Sequence, residues 1–181
     1  MRAFKQSAYS VCLLSAALVM NGCSDDDDTA ATQDVELRFA AKVGDISFAC
    51  GDVYTGIGVG EADRANYQVN DFRVLISEVA MTHADGSQVP VTLEQDGVWQ
   101  YNTTALLDFE DGCSGNGTTE TRSVVTGTVD GGDYTGVCFT IGVPFEENHM
   151  DTATAPSPLN ASGMFWNWQG GAQVYSRRRR G

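Results

Sequence analysis

The chain has 181 residues and a formal net charge of −13 at pH 7, from 24 acidic and 11 basic side chains. This length allows one domain with short appendages. A strongly acidic chain repels phosphate backbones and anionic headgroups, which argues against nucleic acid and anionic membrane surfaces as partners. The acidity fits a cation or a basic protein as companion, and it also fits a simple solubility role in an exported protein.

Residues 1–22 have the features of a secretory signal peptide. Arg2 and Lys5 form a basic end, and an apolar stretch too short to span a bilayer follows it. The sequence VMNGC (19–23) then resembles a bacterial lipobox, which predicts a lipid on Cys23 and a membrane-anchored protein. Ordinary signal-peptidase cleavage nearby is the alternative. Residues 23–34 are expected to form a lipidated acidic tether with little to bury.

From Val35 onward, apolar and polar side chains alternate with period two, as expected of half-buried strands. Asp-Gly and Gly-Gly turn signals separate the apolar runs. The candidate strands are 35–41, 46–50, 72–76, 79–83, 89–93, 98–101, 123–129, 134–143, 164–168 and 173–176. No convincing amphipathic helix appears, although 60–70 could hold a short one. Many short strands with regular turns predict an all-β fold, a single antiparallel β-sandwich with Greek-key-like order.

The segment 142–168, GVPFEENHMDTATAPSPLNASGMFWNW, concentrates residue types that can carry chemistry. His149 can ligate a metal through neutral imidazole, although a single loop histidine is more often exposed or hydrogen-bonded. Trp166 and Trp168 can be oxidised in place. Two indoles two residues apart in a strand share a face, however, and a buried pair is usually core. The residue types alone leave the function open.

Five segments in fixed order carry a wider pattern: VELRFAAKVGDISFACG (35–51), DFRVLISEVAM (71–81), ALLDFEDG (105–112), YTGVCFTIGVPFEENHMD (134–151) and APSPLNASGMFWNWQGG (155–171). Together they resemble the MbnP-like family. These are copper-binding periplasmic proteins associated with methanobactin operons, also described as metallo-mystery pair four-Cys proteins. The GVPF, NH, PSPLN and FWxWQGG blocks are the specific motifs.

The resemblance implies copper as the bound metal, held by histidine together with a tryptophan oxidised to kynurenine. The implied partner is MbnH, a di-haem protein of the cytochrome c peroxidase family. His149 matches the histidine of the NH block and is the implied ligand, and Trp166 and Trp168 match the FWxW block as candidates for oxidation. Kynurenine exposes an aniline nitrogen and a carbonyl, which can ligate or tune copper where an indole cannot. The implied protein is no enzyme but a metal carrier of the periplasm or outer membrane.

The chain departs from the family pattern after Gly171. The family continues with a further strand that holds a second histidine and two more cysteines, whereas this chain continues AQVYSRRRRG (172–181). We therefore expect a domain over 35–176 that lacks its last strand or strands, followed by a basic tail over 177–181. A copper site in such a chain is short of one imidazole.

Cysteine positions predict one disulfide. Cys12 lies in the signal peptide and Cys23 in the lipobox, which leaves three cysteines in an oxidising compartment. Cys50 ends a strand and Cys113 follows an Asp-Gly turn. Cys138 lies inside an alternating strand, at a position where the family usually has another residue. We expect Cys50 and Cys113 to form the disulfide and Cys138 to be free.

Several acidic residues are of a type that can serve catalysis or bind a metal, but their spacing does not support either role. Asp108, Glu110 and Asp111 lack the spacing of a calcium loop, and no second carboxylate can be placed for glycoside chemistry, so a solvated turn is expected. Glu146 and Glu147 are expected to be rim charges near the NH block.

The sequence leaves a second function open. An acidic β-sandwich on the cell surface could serve binding or adhesion without a metal, with the FWxW segment as core or as a ligand platform. Met164 suits Cu(I) through its thioether but is expected in the core, and His83 is expected to be exposed. The copper stoichiometry of the mature protein separates the two functions.

Overall fold

The computed structural model describes residues 31–58, 65–113, 115, 118–167, 171–172 and 175–176, of which 165–167, 171–172 and 175–176 are described as backbone only. The segments expected to be the signal peptide and the basic tail, and Cys23 itself, lie outside these residues. No helix in the described part is long and apolar enough to cross a bilayer.

The described chain is built almost entirely from short strands. In chain order these are β1 (Thr32–Arg38), β2 (Lys42–Val43), β3 (Ile46–Ser47), β4 (Val53–Ile57), β5 (Ala65–Gln68), β6 (Arg73–Thr82), β7 (Gln88–Pro90), β8 (Thr92–Leu93), β9 (Gln100–Tyr101), β10 (Thr104–Asp108), β11 (Val124–Asp130), β12 (Gly136–Ile141), β13 (Phe165–Asn167), β14 (Gly171–Ala172) and β15 (Tyr175–Ser176). A helical turn, α1 (Phe145–Asn148), and a 3-10 turn (Ser162–Met164) interrupt them. β1 includes residues 32–34, which the sequence predicts to be part of the tether.

Two antiparallel sheets form the body of the protein. The smaller sheet has the order β1-β11-β8, and the larger has the order β12-β6-β10-β9, with β7 and β15 also pairing with β6. Strands β1 and β11 pair along their whole length, from Thr32 opposite Asp130 to Arg38 opposite Val124. The prediction of an all-β antiparallel sandwich is confirmed.

The main core lies between the two sheets, where each sheet contributes the apolar half of its alternating pattern. The smaller sheet supplies Val35, Leu93, Val125 and Val129, and the larger supplies Ile76, Val79, Ala105 and Leu107. Burying each large aliphatic side chain contributes about 1.5–3 kcal/mol relative to leaving it in water. Period-two alternation therefore fixes which face turns inward, except in β6, where the pattern shifts by one residue between Ile76 and Val79, at Glu78 with its positive φ of 54°.

The opposite face of the larger sheet carries a second, smaller apolar cluster. Leu75 and Leu106, which pair across β6 and β10, pack there with Met164, and Trp99 lies half-buried against them. We call this side the outer face. Because strand side chains alternate, it presents Arg73, Leu75, Ser77, Thr104, Leu106 and Asp108.

The stretch 65–68, within the segment 60–70 that could hold a short helix, is strand β5. It pairs with β4, placing Tyr67 opposite Tyr54. Tyr54 is buried, and its hydroxyl accepts a hydrogen bond from the Ala49 backbone N–H at 2.8 Å. Cross-strand burial of an aromatic side chain thus outweighs a weak local tendency to helix.

Candidate metal centre

His149 directly follows the single helical turn α1. Its Nδ1 lies 2.9 Å from the carbonyl oxygen of Phe145, one turn earlier in the chain. Because a carbonyl oxygen only accepts, Nδ1–H is the donor, and the neutral ring then carries its lone pair on Nε2. The residue is exposed. Nε2 is therefore the nitrogen through which this imidazole can bind a metal.

The phenyl ring of Phe145 also stacks on the imidazole of His149. The ring centroids lie 4.1 Å apart with an interplanar angle of 31°. Residues four apart share one side of a helical turn, which brings the two rings together. Phe145 is itself 71% exposed, so it orients the imidazole without anchoring the turn in the core.

Glu147 faces inward, toward the β9–β10 hairpin. Its carboxylate accepts hydrogen bonds from Asn102 Nδ2 at 2.7 Å and from Thr104 Oγ1 at 2.6 Å. The expectation of a rim charge is wrong for Glu147, which is 7% exposed, and holds for the exposed Glu146. These two protein donors replace the hydrogen bonds to water that the carboxylate loses on burial.

The residue directly before the FWxW block, Met164, lies at the outer face. Met164, expected in the core, is 1% exposed and packs on Leu75 and Leu106. Trp166 lies in β13, which pairs with β14, and its side chain is outside the described part of the structure. Trp168 lies outside the described residues.

One strand face holds the residues that directly precede the two motif blocks. Thr104, which binds Glu147, and Leu106, which packs on Met164, are two residues apart in β10. Side chains two apart in a strand point the same way, with their Cα atoms about 7 Å apart. The fold therefore anchors the residues directly before the NH and FWxW blocks, Glu147 and Met164, at adjacent positions of the outer face, although they are separated in sequence.

A cavity of about 680 Å³ opens beside these anchors. Its floor is the outer face around Leu106 and Trp99, and its wall is the loop 157–163. The Ser157 hydroxyl donates to the Val98 carbonyl oxygen at 2.7 Å and ties this loop to the chain next to Trp99. The loop is ordered by turns rather than by a long helix, as its prolines predict.

Buried charges line one end of the cavity. Arg73 donates through Nε and Nη2 to the two carboxylate oxygens of Asp71, at 2.9 and 2.7 Å, and this pairing raises the pKa of the guanidinium. Burial raises the pKa of Asp108 to about 6, and the nearby charges of Glu110 and Asp71 add to that rise. The expectation of a solvated turn is therefore wrong for Asp108 and Glu110, which are buried, and holds for the exposed Asp111.

Cys50 and Cys113 form a disulfide, as predicted, with Cα atoms 5.8 Å apart. Cys138 is free and exposed, also as predicted. The carboxylate of Asp111 and the two bridged sulfurs lie within 4.8 Å of one another. Copper prefers thiolate sulfur, and a disulfide offers none, so this group does not provide a copper site in the oxidised protein.

The imidazole of His149 fits copper, because imidazole nitrogen is a favoured ligand and the second ring nitrogen is already fixed by a carbonyl. Within the described ranges, His149 belongs to no group of three closely spaced His, Cys, Asp or Glu ligands. At this turn the described chain offers one exposed imidazole, that of His149.

Fold and site together define a disulfide-bonded antiparallel β-sandwich protein. It carries the exposed His149 directly after a helical turn whose Phe145 carbonyl oxygen accepts from Nδ1. The MbnP family model matches residues 32–174, so the chain belongs to the MbnP family. The structure is similar to MbnP from Methylosinus trichosporium, with a TM-score of 0.67 and 30% sequence identity. The match covers 81% of this chain and 54% of that chain, so this chain spans about half the length of that protein. No curated protein matches the chain. The family resemblance seen in the sequence is confirmed.

Proposed function

We propose that this protein carries copper in the periplasm or at the outer membrane, and that an MbnH-like di-haem partner oxidises one of its tryptophans to kynurenine. The observation that carries the proposal is the anchoring of Glu147 and Met164, the residues directly before the NH and FWxW blocks, on Thr104 and Leu106. That placement puts the residues that directly precede the two blocks on one face of β10, which supports a site that draws on both segments. Family membership supports the same function.

In this proposal, copper is the cargo and His149 binds it through Nε2. The second ligand comes from the oxidised tryptophan, Trp166 or Trp168. In that oxidation the C2–C3 bond of the indole breaks, both carbons gain oxygen, and the electrons pass to a peroxide oxidant through the haem partner. Hydrolysis then releases C2 as formate. The product exposes an aniline nitrogen and a carbonyl that can ligate copper.

Membrane attachment completes the proposal. A lipid on Cys23 would hold the sandwich near the membrane through the acidic tether, where the partner can reach it. Mass spectrometry of the membrane fraction should find acyl chains on Cys23. A soluble mature protein that starts near this position without lipid would contradict the anchoring.

Copper binding by the mature protein, with and without the partner, tests the central proposal. The chain contains two histidines, and His83 is a matched control for His149. Its Nδ1 also bonds a carbonyl, that of Asp133 at 2.8 Å, and its ring packs on Tyr134 at 4.6 Å. We expect His149→Ala to weaken copper binding at least about tenfold and His83→Ala to leave it unchanged.

Treatment with the partner should tighten binding in the wild type, because it creates the second ligand. Tight stoichiometric copper in the partner-free protein, unaffected by His149→Ala, would show that the metal binds elsewhere. No copper under any condition would favour the metal-free binding or adhesion module.

A further inference from the structure

A buried carboxylate attaches the turn that carries His149 to the rest of the protein. Helix α1 is one turn long, and a turn of this length has too few hydrogen bonds to be stable alone. Its N-cap, Pro144, makes no side-chain capping bond. Phe145 and Glu146 are exposed, and Glu147 is the buried residue of the turn. Glu147 is therefore the buried side chain through which the turn is attached to the hairpin.

The donors that meet Glu147 are themselves held in place. Asn102 has a positive φ of 52°, a conformation that asparagine tolerates well. Its backbone N–H donates to Gln95 Oε1 at 2.6 Å, and Gln95 Nε2 donates back to the Asn102 carbonyl oxygen at 3.1 Å. Thr104 is fully buried in strand β10. Glu147 thus meets a preformed pair of neutral donors on the hairpin.

We propose that Glu147 is the positioning residue of the copper centre. By binding Asn102 and Thr104 it holds the turn closed, so that the Phe145 carbonyl keeps its bond to Nδ1–H of His149 and the lone pair stays on Nε2. Loss of this anchor lets the turn open. The imidazole then loses its fixed acceptor and becomes a mixture of the two neutral tautomers. The inference rests on the proposed function, and its effect on the tautomer can be measured without any metal.

The first experiment compares Glu147→Gln with Glu146→Gln, its exposed neighbour, in the metal-free protein. Long-range nitrogen–proton NMR correlations report which ring nitrogen of His149 carries the proton, at about pH 8, where an ordinary imidazole is neutral. The wild type and Glu146→Gln should show protonated Nδ1 and unprotonated Nε2. Glu147→Gln keeps one acceptor oxygen and loses the negative charge, which weakens both hydrogen bonds, so it should show a mixture of tautomers.

A rescue separates positioning from general destabilisation. Asn102→Asp combined with Glu147→Gln reverses donor and acceptor across the same contact, and aspartate also tolerates positive φ. The double variant should restore the single tautomer. If Glu147→Gln does not fold, Thr104→Val serves in its place, because it keeps the shape and removes one donor. It should produce partial mixing.

Copper affinity provides the second readout. Glu147→Gln should weaken binding about 10- to 100-fold, as loss of a group that orients a metal ligand typically does, and the double variant should recover most of it. Unchanged affinity and an unchanged tautomer in Glu147→Gln would overturn the positioning role while leaving copper binding through His149 intact. If His149→Ala does not affect copper, the proposed function fails, whatever the tautomer measurement shows.

Discussion

Phe145 contacts His149 twice, through its carbonyl oxygen, which accepts from Nδ1 at 2.9 Å, and through its ring, which stacks on the imidazole at 4.1 Å. The two contacts have different origins. The carbonyl belongs to the backbone and survives any substitution of Phe145, whereas the stacking depends on the side chain. Substitution can therefore separate the orientation of the ring from the choice of tautomer.

Phe145→Ala should reduce copper affinity about two- to tenfold, because a ring stack of this kind contributes about 0.5–1.5 kcal/mol. The melting temperature should stay close to that of the wild type, since Phe145 is 71% exposed. Titration calorimetry and thermal unfolding measure the two effects. Tyr134→Ala, which removes the analogous ring beside His83, should leave copper affinity unchanged. An equal loss in both variants would contradict a local role for Phe145.

Removal of the disulfide should destabilise the domain by about 4 kcal/mol, because it closes a loop across a sequence separation of 63 residues. Urea unfolding of the Cys50→Ala, Cys113→Ala double variant measures this loss. Cys138→Ala is the control, and it should change stability by no more than about 0.5 kcal/mol, since Cys138 is exposed and unbridged. Peptide mapping under non-reducing conditions that found Cys138 bridged would contradict the assignment.

Asp108 should make stability fall as pH rises. Its pKa is about 6 in the folded protein, above the ordinary 3.8, so the folded state binds more protons than the unfolded state between these values. The free energy of unfolding should therefore decrease between about pH 4 and pH 6, by at most about 3 kcal/mol. Asp108→Asn should lose this dependence, while Asp111→Asn, at an exposed position, should retain it. An identical pH profile in both variants would show that Asp108 does not titrate in this range.

Only one tryptophan should become kynurenine when the di-haem partner and its oxidant are present. Trp166→Phe and Trp168→Phe, tested separately, should differ, with one abolishing the modified peptide in mass spectrometry and the other retaining it. Trp99→Phe is the control, because Trp99 lies half-buried against Leu75 and Leu106 rather than in the FWxW block. Modification mapped to Trp99, or found on both other tryptophans, would contradict the assignment.

Much of the fold could be predicted from the sequence because its cause is local. Alternation with period two marks which side chains of β1 and β6 turn toward the core, and the prediction holds for Val35 and Ile76. The same is true of Met164, whose position beside aromatic residues predicted burial. The disulfide between Cys50 and Cys113 could be predicted because the other cysteines had recognisable places in the sequence.

The buried carboxylates could not be predicted, because the groups that bind them are distant in the chain. Asn102 and Thr104 lie 45 and 43 residues from Glu147, and no sequence pattern around Glu147 predicts these contacts. Asp108 is another case, since an acidic turn after an apolar run usually lies in water. Here burial raises its pKa, and the paired Arg73 and the charge of Glu110 lie close by.

Glu146 and Glu147 separate what the sequence determines from what the tertiary structure determines. By itself, the sequence determined that two carboxylates precede Asn148 and His149, that the surrounding strands alternate, and that the motifs belong to the MbnP family. Only the tertiary structure decided that one glutamate is solvated while the other anchors the turn. Successive residues of a helical turn point about 100° apart. The packing of that turn on the β9–β10 hairpin therefore selects which carboxylate meets protein donors and which meets water.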